Sequence, residues 1–440
     1  MMKRRTWILT LALALGAGPA WSENLLDVLD LAKRYDAQLQ AAQAQYRAER
    51  EALPLATAAL LPQVNVFGSW SKQATDYTKN DFGSTGTVKP SSASLGASLR
   101  LPLLRLDAWA GRDAAKAQVA KAEAALKEAE QALLLRVAEA YFDVLSRTDD
   151  LELARAEKNA IARQLEQAKQ RYEVGLIAVT DVHEAQARYD LAVAQEIAAE
   201  NALANAREAL RVITGKTHEH LLRLSPNTPL VPPTPNDIDA WVEAAKDNSL
   251  ALQKARLALQ AARARVRQQR AGRLPTLDLS ASYQYNNNQN LFGAFDQEFS
   301  TTALSLELNA PLYQGGAISA GTRQARAQAD AAQRQLEANE REVLRRTREA
   351  YLGVLAGMSH VKALRQALLS SESALKATEA GFEVGTRTAV EVLDAQRELY
   401  RARRDYARAR YDYILNTLRL KQAVSALTEE DLTQVNQWLR

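Results

Sequence analysis

The stretch from Gly111 to Gly175 contains no proline and almost no helix-breaking residue. As a single α-helix of about 64 residues it would be roughly 96 Å long at 1.5 Å per residue. No compact soluble domain is that tall, so this stretch constrains the fold strongly. Two other helical patterns, Leu25 to Ala59 and Thr180 to Ile213, are each about half as long, roughly 50 Å, and placed end to end they match the long helix.

The chain repeats this pattern once, and Ile238 to Gly272 is the predicted helical counterpart of Leu25 to Ala59. Ala140–Leu145 matches Ala350–Leu355 at an offset of 210 residues, and Leu61-Pro62 matches Leu274-Pro275 at an offset of 213. So long a period is not that of a solenoid, and it indicates one unit of about 200 residues that has been duplicated. We therefore predict five segments. They are a signal peptide (1–22), a first repeat unit (23–214), a proline-rich linker (215–237), a second repeat unit (238–425) and a polar tail (426–440).

The first 22 residues have the three parts of a secretory signal peptide. Basic residues Lys3 to Arg5 precede the apolar run from Trp7 to Ala17, and Ala20-Trp21-Ser22 is a small-x-small cleavage site. Three of the 56 basic residues lie here, so the remainder is nearly balanced by 52 acidic residues and gives no support for a nucleic-acid partner. The absence of cysteine excludes disulfides, thiolate metal sites and a lipid anchor at the cleavage point.

Strand patterns follow the Leu-Pro pair in each repeat. Leu277, Leu279 and Tyr283 alternate with polar residues, as do Leu95 to Leu101 and Leu304 to Leu308. A small soluble sheet with one face on a core is one interpretation, but the very long helices favour a membrane barrel. After Ser22 no apolar run reaches the roughly 18 to 20 residues of a membrane-spanning helix, so insertion would require a β-barrel.

Four strands per chain cannot close a membrane barrel, because about eight is the minimum. Several chains must therefore contribute, and three would supply twelve strands. We predict an α+β membrane protein in which a long antiparallel α-helical barrel continues into a transmembrane β-barrel, with four strands per protomer and twelve in a trimer.

Two equivalent hairpin tips interrupt the long helices. Glu-Val-Gly ends each helix at Gly175 and Gly385, because glycine takes the left-handed C′ conformation without a Cβ penalty. Thr180 and Thr388 are then predicted to cap the return helices, and Thr388 with Glu391 has the spacing of a capping box.

These motifs together resemble the TolC family of outer-membrane efflux proteins, the channel-tunnels of Gram-negative bacteria, over essentially all of the chain after Ser22. The residues that carry the resemblance are Glu23–Leu25, Leu60–Gln63, Arg171–Val182, Leu274–Leu279, Pro311–Gly316 and Val384–Thr388. The resemblance implies a homotrimer in the outer membrane, in contact with its lipid and with a long periplasmic portion. It implies an exit duct for drug efflux and type I protein secretion that pairs with a periplasmic adaptor and an inner-membrane transporter.

A periplasmic coiled-coil adaptor or scaffold without a pore is the alternative. An enzyme is not expected, because the sequence has no phosphate loop or nucleophile motif, and no cofactor is expected either. The pair His218 and His220 lies in the linker without a third ligand, so no metal site is predicted.

The resemblance implies a closing network at the periplasmic entrance. One link maps onto Asp181, Thr180 and Arg387, and a second onto Gln164 and Glu379. Phe382 stands where the family has a tyrosine whose hydroxyl contacts the same carboxylate, so that link is expected to be missing here. The alternative is that these are ordinary solvated charges at helix ends.

Glu391 and Asp394 are spaced i, i+3 and lie on one helix face. In a trimer they would form two rings of three carboxylates, a constriction that favours cations. The local alternative is that Glu391 completes the Thr388 cap and pairs with Arg387, while Asp394 pairs with Arg397.

The exposed tips are, by resemblance, the places where adaptor hairpins dock; a purely structural role as helix caps does not exclude this. The tip residues are Val174, Gly175, Leu176, Val384, Gly385 and Thr386.

Aromatic side chains near the strand ends are candidates for a membrane-boundary girdle, although core or loop packing explains each equally well. They are Phe67, Trp70, Tyr77, Phe292, Phe295 and Tyr313.

Overall fold

The computed structural model describes residues 23–78, 86–226, 228–291 and 295–440, and it is mostly helical with a small sheet. The predicted signal peptide and Phe292 lie outside these residues. In chain order the elements are α1 (Leu25–Tyr35), α2 (Ala37–Arg50), α3 (Ala52–Ala58), β1 (Gln63–Lys72), β2 (Thr75–Tyr77), β3 (Gly86–Val88), β4 (Ser91–Leu104), α4 (Leu106–Glu173), α5 (Val179–Thr214), α6 (Ile238–Asn248), α7 (Leu250–Ala271), β5 (Thr276–Leu291), β6 (Phe295–Asn309), α8 (Ala317–Glu383), α9 (Ala389–Ala423) and α10 (Glu429–Asn436).

The prediction of one continuous helix from Leu25 to Ala59 is wrong, and so is that of its counterpart in the second repeat. Asp36 leaves the helical region at ψ 113°, and its buried carboxylate accepts a hydrogen bond from Arg136 at 2.8 Å. Ser249 breaks the second helix at ψ 117°, and its side chain accepts from the Leu252 amide. The Ser249 side chain bonds a nearby backbone amide, which competes with helix continuation, whereas Asp36 is held by a distant arginine.

The chain forms two compact units, and each takes segments from both sequence repeats. The first contains the described chain up to Ala37, Gln131–Trp241 and Arg348–Arg440, and it includes both hairpin tips. The second contains Gln38–Glu130 and Val242–Thr347, and it includes the sheet. The compact units therefore do not coincide with the sequence repeats.

The sheet of the second unit has the order β1-β4-β5-β6, and all neighbouring strands are antiparallel. The register places Val64 opposite Leu99, and Leu99 opposite Ala281. One face exposes large apolar side chains, which are Val64, Val66, Trp70, Leu95, Tyr283, Tyr285, Leu304, Leu306 and Leu308. The opposite face is polar, with serine pairs across the strands and an ion pair of 2.7 Å between Arg100 and Asp278.

Phe67 lies on the polar face of the sheet opposite Gly96, which favours the packing alternative for this residue over a place in the membrane-boundary girdle. A Cβ atom added at Gly96 would lie 2.6 Å from Phe67 Cζ and 2.8 Å from the Tyr283 carbonyl oxygen. Glycine at this position leaves the space that the phenyl ring occupies. Trp70 lies on the apolar face, and Tyr313 is strongly exposed. The side chains of Tyr77 and Phe295 lie outside the described part of the structure.

The proline-rich linker lies between the two ends of the described chain. Leu221 forms a parallel bridge with Glu23, and Leu224 an antiparallel bridge with Leu439. The hydroxyl of Tyr141 donates to the Leu222 carbonyl at 2.8 Å. The segment predicted as a polar tail also contains α10, which buries Leu432 and Val435. In the described ranges, no helix is both long enough and apolar enough to cross a membrane.

Candidate functional site

The two hairpin tips have the predicted glycine geometry. Gly175 ends the α4 side with φ 74°, and Gly385 ends the α8 side with φ 76°. The Leu176 amide then donates to the Arg171 carbonyl at 2.9 Å, and the Thr386 amide to Gly381 at 2.8 Å. These bonds satisfy carbonyl groups at the helix ends. Each tip leaves its apolar side chains exposed to solvent, which are Val174, Leu176 and Val384.

The return helices begin differently. Thr388 caps α9 as predicted: its hydroxyl accepts from the Glu391 amide at 3.3 Å, and Glu391 accepts from the Thr388 amide at 2.8 Å. The prediction that Thr180 caps α5 is wrong, because the helix starts earlier and its N-cap is Ala178, which makes no side-chain hydrogen bond. Thr180 therefore lies inside the first turn and is exposed.

Arg387 packs over the end of α8 and pairs within its own hairpin. A Cβ atom added at Gly381 would lie 2.7 Å from Arg387 Cγ, so glycine makes room for the arginine stem. The guanidinium donates to Glu391 at 3.0 Å and remains 58% exposed. Asp181 makes no ion pair or hydrogen bond through its side chain with any described residue. A bridge from Arg387 to Asp181 between neighbouring chains stays a prediction.

Glu391 is held in its charged form by the cap. The Thr388 amide lowers the pKa of Glu391, and the Arg387 guanidinium lowers it further. A carboxyl whose pKa is lower in the folded protein stabilises the folded state above its unfolded pKa. That contribution is lost as the pH falls through the lower, folded value.

Acidification is therefore expected to loosen the first turn of α9. As the pH falls through the lowered pKa of Glu391, protonation removes the negative charge that strengthens its bonds to the Thr388 amide and to Arg387. Hydrogen exchange of the amides from Ala389 to Val392 should then accelerate, after correction for the intrinsic rate. A Glu391→Gln variant should show the faster exchange already at pH 7. An equal pH response in the variant and the parent would contradict this assignment.

A cavity of about 780 Å³ lies between the two hairpins in the first compact unit. Four residues of the predicted network line it, namely Gln164, Asp181, Glu379 and Phe382. Thr180 and Arg387 are not on its wall. Two buried acceptor atoms next to it, the Oε1 atoms of Gln164 and Gln396, have no hydrogen-bond partner among the described residues. The structure thus brings together one part of the predicted network, while a direct link between Gln164 and Glu379 is not formed.

Near the tips, two arginines join the hairpins, and sequence reasoning missed both of them. Arg171 places its guanidinium carbon 4.4 Å from the centre of the Phe382 ring, a cation–π contact. Arg188 donates to Asp394 at 2.7 Å and to Glu184 at 3.1 Å. The i, i+4 spacing from Glu184 was visible in the sequence. The contacts with Phe382 and Asp394 were not, because each joins residues more than 200 positions apart.

The local contacts proposed for Glu391 and Asp394 are present. Besides its bond to Arg188, Asp394 lies 3.8 Å from Arg397. Both acids therefore have arginine neighbours within one chain. Whether they also form rings depends on assembly, so the rings stay a prediction.

His218 has a structural position. Its ring is buried and contacts the Thr214 hydroxyl at 2.7 Å and the Glu23 carboxylate. Across the residues described, no three potential ligands are grouped to hold a metal ion.

Comparison with known proteins finds relatives that match this chain over nearly its whole length. The model of the family described as outer membrane efflux protein matches residues 28–216 and 241–426. The chain is 39% identical to outer membrane protein TolC of Vibrio cholerae, covering 100% of this chain and 99% of that protein. It is 31% identical to the alkaline protease secretion protein AprF of Pseudomonas aeruginosa, covering 99% and 91%.

Solved structures share the fold. The CmeC outer membrane channel of Campylobacter jejuni superposes with a TM-score of 0.80 over 95% of this chain and 90% of that one, at 15% identity. VceC of Vibrio cholerae gives a TM-score of 0.78 over 91% and 96%, at 19% identity. Together with the match to the family model, these findings lead to one conclusion: the chain belongs to the outer membrane efflux protein family.

Proposed function

We propose that this protein is a homotrimeric outer-membrane channel for drug efflux and type I protein secretion. The observation that carries the proposal is the sheet, whose exposed apolar face suits contact with lipid. Its outer strands β1 and β6 each have one neighbour in the described sheet, so each offers an edge to another chain. Three chains joined at these edges would form a twelve-stranded transmembrane barrel above a helical barrel.

The names of the relatives support a role in export. AprF carries protease secretion in its name, and family members with this fold are described as outer membrane channels. The partners proposed here are a periplasmic adaptor and an inner-membrane transporter that supplies the energy. The protein itself acts as a channel and not as an enzyme, and it needs no cofactor.

The hairpin tips are the proposed periplasmic entrance. Their exposed side chains, Val174, Leu176 and Val384, supply apolar surface for adaptor hairpins, and Gly175, Gly385 and Thr386 shape the turns that present it. Closure would combine an Arg387 bridge to Asp181 of a neighbouring chain with contacts inside each chain. Because Phe382 has no hydroxyl, its ring instead receives Arg171, and this contact is the proposed substitute for the missing link.

Glu391 and Asp394 are the proposed constriction of the entrance. Repeated three times, they would place two rings of carboxylates in the path of the cargo. Such rings favour the passage of cations, and multivalent cations that bind to them block the current.

The test is an electrical one. Protein purified from outer membranes in detergent should run as a trimer, insert into a planar bilayer and give a small current that multivalent cations reduce. Trimeric, inserted protein without any current would contradict the channel and favour the scaffold without a pore. A protein that remains monomeric and soluble without detergent would contradict the membrane assignment.

A further inference from the structure

We propose that Arg188 sets the ion selectivity of the constriction by neutralising Asp394. The inference rests on the proposed channel function. It assigns a role in selectivity to a residue on the opposite hairpin from the acids.

The geometry is that of a bridge between two helices. Arg188 lies on α5, and its Nη1 atom is 2.7 Å from a carboxylate oxygen of Asp394 on α9. Its Nη2 atom is 3.1 Å from Glu184, one turn earlier on its own helix. The guanidinium is therefore held between a local acid and a distant one, an arrangement that orients it without further contacts.

Burial makes the pair of Arg188 and Asp394 stronger than the contact between Arg397 and Asp394. The Arg188 side chain is only 20% exposed, whereas Arg397, the other arginine near Asp394, is 67% exposed and 3.8 Å away. Charges that are partly removed from water are screened less by solvent and salt. Asp394 itself is 49% exposed, so its charge can attract a passing cation when Arg188 is absent.

The consequence appears on assembly. In a ring of three Asp394 carboxylates, each would carry its own Arg188, and the ring would have almost no net charge. Glu391 is similarly paired with Arg387. The constriction would then attract cations much less than six unpaired carboxylates would, and the strength of the attraction would depend on these pairs.

The two pairs differ in how they respond to movement. Arg387 and Glu391 belong to one hairpin and lie four residues apart, so they move together. Arg188 and Asp394 belong to different helices, so a displacement of α5 relative to α9 separates them. Opening of the tips would free the Asp394 charge, and the open entrance would be more cation-selective than the closed one.

The experiment measures ion selectivity in the parent and in three variants. Reversal potentials are recorded in a tenfold KCl gradient for the parent, Arg188→Gln, Asp394→Asn and the double variant. Block by La³⁺ is titrated in each. The matched control is Arg211→Gln, an arginine on the same helix that pairs only locally, with Glu208 at 2.8 Å.

Arg188→Gln is expected to raise the cation preference and to lower the La³⁺ concentration for half-block by on the order of tenfold. The effect should disappear when Asp394 is also replaced, and Arg211→Gln should resemble the parent. An unchanged reversal potential in Arg188→Gln would overturn the proposal. So would an equal shift in the Asp394→Asn background, because Arg188 would then act independently of Asp394.

A binding measurement separates this proposal from the channel function. Calorimetric titration of La³⁺ into detergent-solubilised trimers requires no current. Tighter binding to Arg188→Gln, lost in the double variant, would support the neutralised ring even if no variant conducts. Equal binding to the parent and to Arg188→Gln would contradict it even if all variants conduct.

Discussion

Replacing Arg387 by alanine is expected to raise the mean single-channel conductance severalfold. The substitution removes the cation that is proposed to bridge neighbouring tips, and it also removes the stem that packs over Gly381. The guanidinium is 58% exposed and bonds only to Glu391 among the described residues. A pair this exposed is weak, which suits a closure that a partner protein must release. Three such bridges in a trimer would nevertheless hold the entrance together.

The measurement is single-channel current in a planar bilayer. Arg401→Ala is the matched control, because Arg401 lies on α9, the helix that begins just after Arg387, is 67% exposed and faces an acid at i+4. Arg387→Lys is a second control, which keeps the charge but loses the planar fork that bonds a carboxylate bidentately; an intermediate conductance is expected. If Arg387→Ala conducts like the parent and like Arg401→Ala, the closing bridge is refuted.

Replacing Phe142 by alanine is expected to lower the free energy of unfolding by about 3–5 kcal/mol. The Phe142 side chain is 1% exposed and lies between two tyrosine rings. The Tyr141 ring meets it edge-on at 5.7 Å, and the Tyr411 ring is tilted at the same distance. Truncation removes both contacts and leaves a cavity that these rigid side chains cannot fill.

The Phe142→Ala substitution should also weaken the contacts that hold the linker. Tyr141 holds the Leu222 carbonyl, and Tyr411 donates to Asp149 at 2.6 Å. Both rings would lose the surface that positions them. Guanidinium unfolding of the detergent-solubilised protein, followed by tryptophan fluorescence, measures the loss. Phe142→Leu is the comparison, with an expected cost below about 1.5 kcal/mol because most of the volume is kept. A variant Phe142→Ala that is as stable as the parent would show that this cluster is not part of the core.

Local features of this protein followed from the sequence because each depends on neighbouring residues alone. The left-handed glycines at positions 175 and 385 end helices whose capping bonds lie within six residues. The Thr388 cap needs only Glu391, three residues later. Strand alternation likewise predicted which side chains share a face of the sheet, with Leu304, Leu306 and Leu308 on one side. The same local rules failed at Thr180, because the helix began before it.

Contacts between distant segments required the tertiary structure. The space that the Phe67 ring occupies depends on Gly96, on the neighbouring strand. The bridge from Arg188 to Asp394 spans 206 positions, and no periodicity within either helix indicates it. An ion pair between helices depends on which faces meet, and packing of the whole hairpin decides that. The sequence by itself thus determined the long helices, the tips and the local pair of Glu391 with Arg387, while the fold alone decided that Asp394 also receives Arg188 from the other hairpin.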